Sequence, residues 1–125
     1  MEAIDDPLTR LIIASAYQVH NELGSGFLEK VYERALLVEL SARGISAETQ
    51  VITDVWYRDH VVGTYCIDLL VEEKVVCELK AVESLSRQHQ VQLVNYLAAT
   101  RMDLGLLINF GRSVEVRRKY RLPKQ

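Results

Sequence analysis

The chain has 125 residues, 49% of them hydrophobic, and a formal net charge of −2. That length fits one domain over residues 1–125 with a core of its own. The charge is unevenly spread: residues 1–100 carry fifteen acids against eight bases, and residues 101–125 carry two acids against seven bases. A basic end on an acidic body can contact phosphates through counterion release, although a solvated terminus has the same composition. No apolar stretch approaches the roughly 20 residues that a bilayer crossing needs. The opening Met1-Glu-Ala-Ile-Asp-Asp6 has no apolar signal-peptide core. Cys66 and Cys77 lack metal-type spacing and no secretion signal accompanies them, so a reduced cytoplasmic protein is expected.

Asp6-Pro7 reads as a helix cap followed by proline at the first helical position. Leu8, Leu11, Ile12, Ser15, Ala16, Val19 and Leu23 keep a helical period up to Gly24-Ser-Gly26. A second helix is expected from near Leu28 to Gly44, meeting the first at a sharp angle across the two-glycine turn. Three strand-like runs follow over residues 48–57, 61–72 and 75–81, with Arg58-Asp-His60 and Glu72-Glu-Lys74 as turns. Ser86 is the expected cap of a helix over residues 87–101. Residues 104–110 form a continuous apolar run, as in a strand buried on both faces. Gly111 breaks that run, and Val114-Glu-Val-Arg117 is the candidate for a short added edge strand. The order predicts an α+β, or mixed α/β, sandwich.

Strand alternation puts Glu78 and Lys80 on one face and Cys77 and Leu79 on the other. If three residues turn the chain between Val71 and Val75, Asp68 faces Glu78 and Cys66 faces Lys80. A two-residue turn would move Asp68 to the opposite face. Facing carboxylates repel, and a bound cation reverses the sign of that interaction. Glu78 and Lys80 also fit the solvated face of an ordinary strand. Against that, Val75, Val76, Ala81 and Val82 flank them, and burying an unpartnered charge is costly. Glu29 and Glu33 share a helix face beside Tyr32 and Leu36, a like-charge spacing that costs about a few tenths of a kcal/mol. The helix dipole offsets this best for Glu29 in the first turn. Either glutamate is placed to approach a cation. Gln92 and Tyr96 share a face, with Gln88 one turn earlier; they suit a water, a metal ligand or a phosphate, or a tyrosine packed on the sheet and capped by glutamine. His20, His60 and His89 fall on a helix, a turn and a helix with no pair at ligand spacing, so no structural zinc site is expected.

Gly26-x-x-Glu29-x-x-Tyr32, followed by Glu33-x-Ala35-Leu36, resembles the signature of the GxxExxY proteins, which are placed within the PD-(D/E)XK nuclease superfamily. The resemblance spans nearly the whole chain. It takes in His20-Asn-Glu-Leu-Gly-Ser-Gly26, Gly63-Thr-Tyr-Cys-Ile-Asp68-Leu-Leu-Val71, Glu78-Leu-Lys80-Ala81, Gln92-Leu-Val-Asn-Tyr-Leu97 and Gly105-Leu-Leu-Ile-Asn-Phe-Gly111. It implies a restriction-endonuclease-like core, a four-stranded mixed sheet with helices on both sides. It also implies that Asp68 and Glu78 bind Mg²⁺ or Mn²⁺, that Lys80 orients water and stabilises charge on the phosphate, and that Glu29 or Glu33 is the helical glutamate. The Gln-x3-Tyr element is similar to that of the RecB-like branch, which places Gln92 and Tyr96 on the substrate side. One departure is Ile67, where proline often precedes the first acid.

The expected activity is metal-assisted hydrolysis of a nucleic-acid phosphodiester, DNA in preference to RNA. Asp68, Glu78, Lys80 and Gln92 are the catalytic candidates; Asp68, Glu78, Glu29 and Glu33 are the candidate ligands, with the Leu79 carbonyl as a further one. Mg²⁺ suits such oxygen donors. Tyr96, Gln88 and Arg87 are candidates for substrate contact. Arg87 and Arg101, with Arg112, Arg117, Arg118, Lys119, Arg121 and Lys124, suit flanking phosphates without reading bases. A homodimer fits a nuclease core this small. The alternative from another class is a catalytically silent module that keeps the nuclease fold for binding or assembly, in line with the near-neutral charge. A nucleotide phosphohydrolase is a third reading, for which Gly24-Ser-Gly26 is too short a phosphate loop.

Overall fold

The computed structural model describes residues 6–121; Lys124, expected among the phosphate contacts, lies outside them. Asp6 caps the first helix by accepting the backbone N–H groups of Leu8 at 2.7 Å and Thr9 at 3.4 Å. In chain order the elements are α1 (Pro7–Leu23), α2 (Glu29–Ala42), β1 (Ala47–Tyr57), β2 (His60–Val71), β3 (Val75–Lys80), α3 (Arg87–Thr100), β4 (Leu104–Phe110) and β5 (Val114–Tyr120). No helix among the described residues is long and apolar enough to cross a membrane.

The strands form one mixed sheet in the order β1-β2-β3-β4-β5, with β3 and β4 parallel and the other neighbours antiparallel. The sheet therefore has five strands, not the expected four. Val114 and Val116 pack against the core while Arg117 and Arg118 stay exposed, so the segment after Gly111 has the alternation of a strand and pairs along all of β4. Its exposed cations suit a sheet edge, where charge discourages pairing with other chains. His60 also departs from expectation: it opens β2 opposite Tyr57, because Arg58 and Asp59, with φ of 46° and 66°, complete a two-residue hairpin turn.

Helices α1 and α2 cover one face of the sheet, enclosing Ile12, Tyr32, Leu36, Leu69, Cys77, Leu79, Ile108 and Phe110. Helix α3 covers the other with Leu93, Tyr96 and Leu97 over Ile67, Val76 and Leu107. Ile67 and Leu69 lie two residues apart on β2, yet belong to different cores. Regular alternation would keep them on one face, so the pleat breaks at Asp68. Across the sheet, Gln50 on β1 is in the left-handed region with φ of 53°, and it is skipped in the pairing. Asp68 thus stands where β2 passes from one core to the other.

Beyond β3 the chain is fixed by Asn109, which is fully buried. Its Oδ1 accepts the Val82 N–H at 2.9 Å, and its Nδ2 donates to the Val82 carbonyl at 2.9 Å and to Glu115 at 3.1 Å. Gly111 lies against this clamp: a Cβ there would sit 2.8 Å from the Val82 carbonyl oxygen and 3.1 Å from Asn109 Nδ2. Backbone on one side and a fully bonded amide on the other leave little room to relax. Gly111→Ala is therefore predicted to cost about 1–3 kcal/mol, the range for overpacking a well-packed site. Urea unfolding checks this: the midpoint should fall with an unchanged m value, and an unchanged midpoint would show that the loop gives way freely.

Candidate active site

Three residues, Glu72 to Lys74, turn β2 into β3, and the ladder between them runs from Val71 opposite Val75 to Leu69 opposite Cys77. One step further, side chains replace the backbone ladder. The Asp68 N–H donates to Glu78 Oε1 at 3.1 Å, and the Leu79 N–H donates to Asp68 Oδ2 at 2.8 Å. The two acids therefore face each other, each bonded to the opposite strand's backbone. Cys66 does not reach toward Lys80; its thiol donates to Gln50 Oε1 at 3.1 Å. Both cysteines are free thiols.

Glu78 is only 4% exposed, and burial first, then Asp68, pushes its carboxyl up to about 8. Lys80 on the same strand face, and the Asp68 N–H, act in the other direction. Burial also raises the Asp68 carboxyl, with Glu33 adding to the rise, while the Leu79 N–H and Lys80 oppose it. Glu29 as a residue is exposed, yet partial desolvation of its carboxyl and the Asp68 charge raise its pKa as well. Three carboxyls, each held above its ordinary range, thus feel the charge of one lysine. Among the described residues the Lys80 ammonium makes no hydrogen bond or ion pair.

The two α2 glutamates differ in commitment. Glu33 is buried; its Oε1 accepts from Gln50 Nε2 at 2.8 Å and its Oε2 from Lys30 Nζ at 3.3 Å. Glu29 stands in the first turn, where the helix dipole favours an anion. Its position is set by Tyr32, whose ring stacks on Phe110 at 4.6 Å. The Tyr32 hydroxyl donates to the Gly24 carbonyl at 2.6 Å and accepts the Phe27 N–H at 3.3 Å, closing the turn that feeds α2. Beside Glu29 lies an open cleft of about 430 Å³ lined also by Gly26, Ala81 and Arg112.

Tyr96 on α3 is 6% exposed and lies within reach of the acids' field; burial first, then Glu78 and Asp68, push its hydroxyl up to about 12. Its ring packs on Tyr65 at 4.6 Å. Gln88 and Gln92 are exposed and, with Arg87 and Tyr65, line an open groove of about 500 Å³. Among the described residues no glutamine caps the Tyr96 hydroxyl. The histidines on helices are structural: His20 Nε2 lies 2.8 Å from the Gly111 carbonyl oxygen, and His89 Nδ1 accepts the Ser86 N–H at 3.1 Å in a capping box.

Among the described residues, no group of three or more His, Cys, Asp or Glu side chains is arranged to hold a metal ion. The donor chemistry fits a hard divalent cation all the same: Asp68, Glu78 and Glu29 offer oxygens only, and the raised pKa of each carboxyl marks an anion that a cation would stabilise. Three supporting residues carry little sequence signal. Gln50 and Tyr65 sit in an ordinary alternating stretch, and Asn109 is a lone polar residue inside an apolar run; only that interruption hints at its role.

Burial of Glu78 has a measurable consequence. A carboxyl whose folded pKa is raised lends stability below the ordinary carboxylate range and loses it as pH rises toward about 8. In chelator, the protein is predicted to lose on the order of a few kcal/mol between about pH 5 and about pH 9 through this group, at about 1.4 kcal/mol for each tenfold change in proton affinity. Glu78→Gln should flatten that slope and be the more stable form at the alkaline end. Denaturant titrations at the two pH values decide it, and parallel slopes for both proteins would contradict the assignment.

The fold is similar to the crystal structure of SSO0001, with a TM-score of 0.61 at 14% identity, covering 97% of this chain and 81% of that one. No curated protein matches the chain. The family model described as the PD-(D/E)XK nuclease superfamily matches residues 6–120. With Asp68 opposite Glu78 and Lys80 two residues further along the same strand face, this chain belongs to the PD-(D/E)XK nuclease superfamily.

Proposed function

We propose that this protein is a metal-dependent nuclease of the GxxExxY type that hydrolyses phosphodiester bonds in DNA. The observation that carries the reading is the facing pair Asp68 and Glu78, with Lys80 on the same face and Glu29 electrostatically coupled to Asp68 and Lys80. Asp68, Glu78 and Glu29 would hold Mg²⁺ or Mn²⁺, with the Leu79 carbonyl as a further donor. Glu33, committed to Gln50 and Lys30, acts as support for that wall. The cation, when bound, polarises the phosphate and lowers the pKa of a bound water.

The chain's own groups do the rest. Lys80, without a partner among the described residues, orients the attacking water or meets the charge that develops on the phosphate oxygens. Tyr96 stays protonated at neutral pH, so its hydroxyl can donate to a non-bridging oxygen. Gln92, Gln88 and Arg87 sit on the groove wall, where they hold the strand that flanks the scissile bond.

The test is cleavage of labelled single- and double-stranded DNA and RNA in Mn²⁺ or Mg²⁺, comparing the wild type with Asp68→Ala and Lys80→Ala. Metal-dependent cleavage of DNA is expected, with each variant lowered by about a hundredfold or more, as for loss of a charge-stabilising group. Calorimetry should show Mn²⁺ binding weakened by Asp68→Ala and retained by Lys80→Ala. Equal background in all three proteins, together with metal binding that is unchanged in Asp68→Ala, would replace the nuclease with a silent binding module.

A further inference from the structure

The α3 side of the sheet carries a feature that the acid site does not need. The groove that holds Arg87 and Gln92 shares Tyr65 and Asn95 with a second cleft of about 410 Å³ that reaches Trp56 and Arg101. Together they make one trough between the β1–β2 hairpin and α3. Among the described residues no Asp or Glu lines either part, although residues 1–100 carry nearly twice as many acids as bases. A guanidinium stands toward each end: Arg87 at the start of α3 and Arg101 at its C-cap.

Trp56 is 63% exposed, so its indole is mostly unused by the core. Neighbouring residues on a strand normally point to opposite faces, yet Val55 and Trp56 both line the trough. The register of β1 against β2 shifts between these two residues, and a bulge of this kind re-aims a side chain. Further along, the Tyr65 ring packs on Tyr96, which feels the charges of Glu78 and Asp68. Aromatic side chains therefore run from Tyr96 through Tyr65 to Trp56.

We propose that this trough binds a single-stranded stretch of nucleic acid next to the bond that is cut. One base stacks on Trp56 and another on Tyr65, while Arg87 and Arg101 hold phosphates and the Asn95 amide meets a base edge. Stacking on an aromatic wall needs a free base face, which an unpaired strand offers and an intact duplex does not. Each part of the trough has the size of a small-ligand pocket, suited to a nucleotide at a time. The acid-free lining and the two guanidiniums favour a polyanion over a second copy of this acidic chain. The inference rests on the nuclease reading for its direction, since it names the form of substrate that the site receives.

Trp56 is the only tryptophan, so its fluorescence reports on the trough without a label. The full-length protein is titrated in chelator with an oligothymidylate and with a blunt duplex of equal length. The single strand should quench Trp56, and the duplex should bind at least about tenfold more weakly. By anisotropy of a labelled oligothymidylate, Trp56→Ala and Arg101→Ala should each lower affinity by about tenfold, with Trp56→Phe restoring most of the Trp56→Ala loss. Circular dichroism verifies that each variant is folded. Equal affinity for the two DNA forms, or binding indifferent to Trp56→Ala, overturns the proposal. So does Trp56 emission that shifts with protein concentration alone, together with a dimer that sediments in the wild type and not in Trp56→Ala. Binding is read without metal or cleavage. Quenching by a single strand that stays uncleaved when Mn²⁺ is added would thus count against the nuclease reading and leave the trough standing.

Discussion

The site depends on one buried arrangement: two carboxylates that meet where the β2–β3 ladder opens. Val75, Val76, Cys77 and Leu79 are each at most 1% exposed, and Glu78 lies among them at 4%. Burying each aliphatic side chain contributes about 1.5–3 kcal/mol. The raised carboxyl of Glu78 costs a few kcal/mol when ionised, at about 1.4 kcal/mol for each tenfold change in proton affinity. The apolar run therefore outweighs its acid, and folding carries Glu78 inward against its own preference. The Asp68 N–H, bonded to Glu78, and the Leu79 N–H, bonded to Asp68, lessen that cost and fix both carboxylates in place. The fold thus holds carboxyls together that ionise reluctantly, and a divalent cation would favour their charged forms.

The break in the β2 pleat is what makes this geometry available. With strict alternation, Ile67 and Leu69 would share a core, and Asp68 would face wholly toward the other side. Because the two hydrophobes enter different cores, Asp68 stands between them, coupled to Glu33 and Glu29 of α2 as well as to Glu78 of β3. Gln50, at the matching place on β1, ties that point to α2 through Glu33 and to β2 through Cys66. The signature tyrosine works on the same wall from the other end. Buried on Phe110 and bonded to the Gly24 carbonyl, Tyr32 sets the entry of α2 and with it the place of Glu29. In Gly26-x-x-Glu29-x-x-Tyr32 the tyrosine is packed and hydrogen-bonded, whereas Glu29 is exposed at the helix start.

Much of this was readable from residue order. The caps at Asp6 and Ser86, the three-residue turn at residues 72–74 and the buried run over residues 104–110 follow from local rules, and the structure has each of them. From the turn alone the facing of Asp68 and Glu78 follows. The fifth strand is readable only as a short edge strand over residues 114–117, because the cations that follow resemble a solvated tail; its strand character comes from Val114 and Val116, which gain burial beside β4. The contacts of Asn109 and Gln50 escape the sequence for a different reason. Their partners, Val82, Glu115, Glu33 and Cys66, are brought to them by tertiary packing, and no spacing rule relates them.

The basic C-terminal segment takes a different meaning once β5 is in place. Arg121 is paired with Asp103 at 2.8 Å and Arg117 with Glu115 at 3.7 Å. Exposed pairs of this kind are worth no more than about 1 kcal/mol, so they hold these guanidiniums in place without withdrawing them from a phosphate. Position, not pairing, limits their role. In the order β1-β2-β3-β4-β5 they lie at the sheet edge opposite the hairpin that bears Trp56, with β3 and β4 between them and Asp68. Arg87 is the link: it lines the groove with Gln92 and also a small cleft of about 260 Å³ with Lys119 of β5. A strand that follows the cations would thus leave β5, pass the start of α3 and enter the aromatic trough. On the proposed nuclease reading, the phosphates along that path would set position and the acid pair with its lysine would be the place for chemistry.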